Sequence, residues 1–289
     1  MDTVNVQAYP SLSEAESVLL EAALKEAHNI EPAETTEEKV KDILPINSST
    51  LLLDETSSRF SSAIWFNKIA EKTVTLAGVG GIGSYVAFLL SRLRVHRLIL
   101  FDNDTVDPSN LSGQLFGISD VGTPKVSAIN DFIRRYANYY DVSSRMDRID
   151  SSYRGTKIMI CGFDNMAARQ DYFRAWETHV DSLPKEERSD CLFIDGRLAA
   201  EEFQVFCMKG DDAFLRTKYK GEWLFEDNEA EATLCSYKQT SFCANMIASV
   251  MVNLFVNFVA NQCYPLIERD LPFFTYYDAS RMAFKTEAI

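Results

Sequence analysis

The 289-residue chain is 46% hydrophobic and 25% charged, the composition of a soluble globular protein long enough to bury one large core or two small ones. Its net charge of −13, from 42 acidic and 29 basic residues, provides no broad electrostatic footprint for nucleic acid. No stretch reaches the roughly 18 to 20 uninterrupted apolar residues of a membrane span. The start, MDTVNVQAYPSLSEAE, lacks the basic and apolar regions of an export signal, so a cytoplasmic protein without membrane attachment is expected.

Residues 1–55 read as a helical N-terminal extension. Within it, residues 11–30 carry Val18, Leu19, Ala22, Ala23 and Leu24 at helical spacing behind Ser11 or Ser13 as a cap. Both a packed appendage and a clamp for a partner fit that pattern. From 56 to 289, short apolar runs alternate with amphipathic stretches: a strand near 72–79, helix 83–94, strand 97–101, helix 123–140, strand 157–162, helix 165–180, and strands 191–195 and 202–208. The alternation predicts an α/β fold, a doubly wound and mainly parallel sheet flanked by helices. Further on, EDNEAEATL reads as a polar loop, 241–262 as a long apolar helix for core or subunit interface, and PFFTYYD as a late strand. The six cysteines form no CxxC pair, which predicts reduced and mostly buried thiols and no zinc site, and His96 reads as packing at a strand start.

The stretch VTLAGVGGIGSYVAFLLSRL joins a strand to a helix through Gly78, Gly80, Gly81 and Gly83. Gly78, Gly80 and Gly83 fit the Rossmann-like GxGxxG turn, in which a helix N-terminus faces bound phosphates. The next strand ends at Asp102, about 20 residues on, where a carboxylate can accept from ribose hydroxyls. These features suit a nicotinamide-dependent oxidoreductase and a nucleotide-dependent adenylating enzyme equally well.

Five motifs in order separate the two: GVGGIG at 78–83, DNDTV at 102–106, NLSGQ at 110–114, GTPK at 122–125 and DNMAAR at 164–169. Together, across residues 59–208, they resemble the adenylation domain of the ThiF, MoeB and ubiquitin-activating-enzyme superfamily. The resemblance implies ATP- and Mg²⁺-dependent adenylation of the C-terminal carboxylate of a small ubiquitin-like protein or peptide ending in glycine, with pyrophosphate released. It also implies a homodimer, a crossover loop and core helix within 220–262, and onward transfer to a cysteine, a conjugating enzyme or a sulfur carrier. By the same resemblance Asp102 holds the ribose, with Asp104 near that edge. Asn110, Gln114 and Lys125 contact the phosphates, Asp164 binds Mg²⁺, and Arg169 supports the acidic loop. Each has a plainer reading: Asn110 and Gln114 as loop-backbone partners, Lys125 as a solvated lysine, Asp164 as a helix cap.

One position departs from the pattern. Where the family has arginine in N-L-x-R-Q, this chain has Gly113, which removes a bidentate phosphate donor. A partner subunit's Arg59, in the Arg-Phe context of SSRFSSAIWF, is one replacement; a nucleotide-binding but non-catalytic partner subunit is the other reading. Cys235, in EATLCSYKQTSFCANMIAS beside Lys238, lies where some relatives carry a nucleophile, and a buried packing cysteine is its alternative.

Overall fold

The computed structural model describes residues 59–150, 152–225, 239–263 and 268–287. Every described residue belongs to the unit Leu53–Ile289. The expected extension, and the helix read within it, therefore lie outside the described residues.

One eight-stranded sheet runs in the order β3-β2-β1-β4-β5-β6-β7-β8. The strands are β1 (Thr73–Ala77), β2 (Arg97–Phe101), β3 (Val142–Arg145), β4 (Ile158–Cys161), β5 (Leu192–Ala199), β6 (Glu202–Lys209), β7 (Phe274–Asp278) and β8 (Ala283–Glu287). The first five pair in parallel and the last three continue antiparallel. The change of direction is local in origin. Only Ala200 and Glu201 separate β5 from β6, too short a link for a parallel crossover.

Helices cover both faces. On one lie α2 (Gly81–Arg92), α3 (Lys125–Ala137) and α6 (Ser241–Asn261), after the single turn α1 (Phe66–Ile69). On the other lie α4 (Met166–Ser182) and α5 (Ala213–Glu222). The periodicity explains each choice. In α2, Ile82, Val86 and Leu90 make one buried stripe; in α3, Val126, Ile129 and Ile133 do so. Helix α3 stops at Asn138, whose left-handed backbone suits asparagine. On the opposite face, Tyr172, Phe173, Trp176, Phe193 and Tyr219 form a continuous aromatic cluster. Helix α6 is long and apolar enough to cross a membrane, yet it packs along α2, β5 and β6 and turns Asn245, Ser249 and Asn253 outward.

From residue 59 on, the expected strands and helices are present with shifted ends, and α1, β3, α5 and β8 are additions. His96 is exposed rather than packed, because it precedes β2 and contributes its backbone N–H to Lys72 O at 2.8 Å. Cys161, Cys191, Cys207 and Cys243 are buried free thiols. Burial pushes Cys191 and Cys207 up to about 11 and about 12, which makes them protonated packing groups.

The chain leaves β1 toward β2 and β3, then returns to β4 on β1's other side, so a crevice opens beyond the carboxyl ends of β1 and β4. There the two backbones nearly touch. Gly78 has φ +79°, and a Cβ on it would lie 2.7 Å from the Gly162 carbonyl. Gly78→Ala is expected to destabilise the fold by roughly 2–4 kcal/mol, from left-handed strain plus overpacking, as measured by urea denaturation.

Candidate nucleotide site

The turn after β1 is held from two sides. Gly78 N donates to Phe101 O and Gly162 N to Ala77 O, both at 2.8 Å, which extends pairing past the strand ends. Asp102 then clamps the turn: Oδ2 accepts from Val79 N at 2.8 Å and Oδ1 from Asp104 N at 2.9 Å. Each carboxylate oxygen still has a second lone pair for a ligand hydroxyl. Burial raises the Asp102 carboxyl above its ordinary range, and the backbone donors and Lys125 act against that rise.

Asp104 and Lys125 meet because their segments pair. Thr105 bridges Pro124, Val106 N donates to Thr123 O, and Lys125 N donates to Asp104 O. The buried Lys125 side chain then reaches the exposed Asp104 carboxylate, Nζ to Oδ2 at 2.9 Å. Lys125 is therefore an anchored cation at the start of α3, not a solvated surface lysine.

The 3-10 turn Pro108–Ser112 carries Asn110, whose Oδ1 accepts from Asp107 N at 2.9 Å while Asp107 caps Ser109 N. Loop backbone thus takes the acceptor end of Asn110, and its amide nitrogen is the end suited to a phosphate. Leu115 N donates to Ser84 Oγ at 3.1 Å and docks the segment on α2. Next to it, Gln114 lies against Gly80, its Oε1 buried with no donor among the described residues. A buried polar atom of this kind is satisfied by water or by a ligand.

After β4, Asn165 rather than Asp164 caps α4, its Oδ1 accepting from Ala168 N at 2.8 Å. Asp164 is exposed, with Asn165 Nδ2 3.4 Å from its Oδ1, so capping does not account for this carboxylate. Arg169 is buried beneath the same loop. It donates to Phe163 O at 2.5 Å and pairs with the fully buried Asp195 of β5. Asp195 also accepts from Arg197 Nε and Tyr219 OH, both at 2.8 Å. Burial pushes the Tyr219 phenol up to about 12, so it remains a donor. Arg197 continues to Trp223 O at 2.9 Å and stacks over Phe206. Asp195, Arg197 and Tyr219 were not among the residues expected at the site, and no local spacing marks them, since the network is made by the adjacency of β4, β5, α4 and α5.

Gly78, Gly80, Gly81, Gly83, Asp102, Asp104, Asn110, Gln114 and Lys125 therefore share the carboxyl edge of the sheet on the β1 and β2 side. Asp164 follows the neighbouring strand β4, with Arg169 below it. Arg59 is exposed ahead of α1. Cys235 and Lys238 lie outside the described residues. Gln239, which the sequence reading did not single out, extends its side chain over Gly81 and Gly113.

The sequence profile of the ThiF family matches residues 56–288. The chain belongs to the ThiF family. Among curated relatives, ubiquitin-like modifier-activating enzyme 5 of Caenorhabditis elegans is 42% identical over 66 residues, covering 23% of this chain and 16% of the relative. The protein of the same name from Drosophila willistoni is 31% identical over 132 residues, covering 39% and 32%. The alignments thus span less than a third of either relative. Among solved structures, PaaA superposes with a TM-score of 0.62 at 17% identity, covering 97% of this chain and 84% of PaaA. Escherichia coli MccB with AMPCPP and MccA gives 0.57 at 16%, covering 96% and 79%. Escherichia coli TcdA in complex with ATP gives 0.55 at 15%, covering 76% and 98%. At these identities the likeness establishes the ThiF fold and nothing finer.

The buried pairs beneath the β4 loop generate one prediction. Asp195→Ala leaves two guanidinium groups without their carboxylate and is expected to cost about 3–5 kcal/mol, as measured by denaturant unfolding.

Proposed function

We propose that this protein uses ATP and Mg²⁺ to adenylate the C-terminal carboxylate of a small ubiquitin-like protein or peptide, releasing pyrophosphate. The observation that carries the reading is the convergence at the switch point of a glycine turn, a ribose-competent Asp102, a buried Lys125 and Asn110, whose amide nitrogen is left over from the loop backbone. Membership of the ThiF family and the likeness to ubiquitin-like modifier-activating enzyme 5 support the class of substrate.

Adenylation attaches the acceptor carboxylate oxygen to the α-phosphorus while pyrophosphate leaves, so the site must offset charge on both sides of that phosphorus. In this reading the amides of the first turn of α2 and the Asn110 nitrogen face phosphate oxygens, and Asp102 orients the ribose. Lys125, poised against Asp104, supplies the cation. Transfer of its ammonium from Asp104 to phosphate would exchange one anionic partner for another, so a charge is ready in the site before ATP arrives. Asp164 would hold Mg²⁺, which offsets charge on the phosphate oxygens. A homodimer in which the exposed Arg59 of one copy serves the other belongs to the same reading.

Gly113 favours a second reading, a nucleotide-binding subunit that assists a catalytic mate. Pyrophosphate exchange into ATP, measured with Mg²⁺ and a panel of glycine-terminated small proteins, decides between them. Wild-type exchange that requires the acceptor's free C-terminus is expected, with a loss of about 10²-fold or more in Lys125→Ala and Asp164→Ala. ATP binding without exchange across the panel would favour the assisting subunit, and absence of ATP binding would overturn both readings.

A further inference from the structure

The glycine at 113 is not there for its backbone. Its φ is −128°, a value any residue adopts, and its N–H donates to Asn110 O at 3.2 Å as an ordinary turn end. Gly81 sits inside the first turn of α2 without a positive φ, so conformation does not require glycine there either. What the two share is a neighbour. A Cβ on Gly81 would lie 2.0 Å from Gln239 Oε1, and one on Gly113 would lie 2.7 Å from Gln239 Nε2. The missing side chains make room for one glutamine.

Gln239 is fixed there by its own segment. Its backbone bridges Ala200 at the β5–β6 turn, and Thr240, the next residue, caps α6 with Oγ1 3.4 Å from Cys243 N. The side chain is half-buried between the first turn of α2 and the NLSGQ turn. An arginine at 113 would have to start its side chain where this amide already lies.

Resting on the adenylation reading above, we propose that Gln239, in the segment that enters α6, supplies the side-chain donor that the family pattern places at 113, and that its amide binds a phosphate oxygen of ATP. The Gly113 departure is then a relocation of one donor rather than a loss of function. The exchange has a chemical consequence. A carboxamide offers a neutral hydrogen bond where a guanidinium offers a bidentate charged one, so the site relies on Lys125 for fixed positive charge. It also makes the site depend on docking of the segment that enters α6.

Isothermal titration of ATP with Mg²⁺ into the full chain tests this, with thermal melting as a folding control. Gln239→Ala is expected to weaken binding about tenfold, the scale of one hydrogen bond to a charged group. Gln239→Glu keeps the volume but presents an anion, and should weaken binding at least as much with little change in melting temperature. Gly113→Arg alone should weaken binding and lower the melting temperature, because arginine and Gln239 compete for one space. Gly113→Arg combined with Gln239→Ala should return the affinity to within about threefold of wild type. If Gln239→Glu binds ATP as wild type does, the side chain is a spacer and the proposal falls while the adenylation reading stands. It falls equally if the double variant shows the summed loss of the two singles. A wild type that binds no ATP would overturn both.

Discussion

Everything at the carboxyl edge of the sheet depends on how closely two backbone turns approach beyond β1 and β4. Gly78 and Gly162 meet with no side chain between them, and a Cβ on Gly83 would overlap the Gly78 carbonyl at 1.8 Å. That packing sends the chain straight from strand into helix. The first amides of α2 therefore lie at the crevice rather than above it. A wider turn would move them by the length of a side chain and uncouple Asp102, whose bond to Val79 N exists only because the turn is tight. Backbone proximity is thus the cause, and the placement of the α2 N-terminus at the crevice is its consequence.

Carboxylates in this protein are sorted by where their compensation comes from. Asp195 is fully buried and surrounded by Arg169, Arg197 and Tyr219, so its charge is used up inside the molecule. That network carries Phe163 O on one arm and Trp223 O on another, and Gln170 Nε2 adds a bond to Phe225 O at 2.9 Å. The loop bearing Asp164 and the chain running toward residue 226 are therefore held by connected side chains. Asp164 itself stays at the surface, with the cap of α4 assigned to Asn165. Two guanidiniums and one carboxylate leave this buried base with a net positive charge beneath the exposed Asp164.

What could be read in the sequence follows from the range of the forces involved. Strands β1, β2, β4 and β5 announce themselves as apolar runs because both faces of a central parallel strand are buried. Strand β3, VSSR, is a half-exposed edge with no such run, and β8 is almost wholly exposed, so neither has a periodic signal. Helix α5 was legible in principle, since Asp212 caps it through Leu215 N at 2.9 Å, but its short LRTKYKGE face is mostly polar. The motif residues around the turn were legible because each sits at a fixed offset from a strand or helix end. Arg169 was legible as a loop support, while its partner Asp195 was not: the pair is made by the adjacency of β4 and α4 to β5, which no local spacing encodes.

Gln239 is the sharper instance of the same limit. It lies 126 positions beyond Gly113, with no repeat or motif to connect them, and only the return of α6 along α2 brings them together. A motif compares a chain with a pattern position by position, so it registers a missing arginine and has no place to enter a donor arriving from another element. Physical space provides that place. Two glycines whose dihedral angles demand nothing both face one amide, so the Gln239 side chain fills the space beside positions 81 and 113. A side chain added at either glycine would clash with it, and a small residue at 239 would leave a void beside the turn. The three positions are therefore one packing unit. On the proposal above, that unit is what lets the crevice keep a side-chain donor without an arginine at 113.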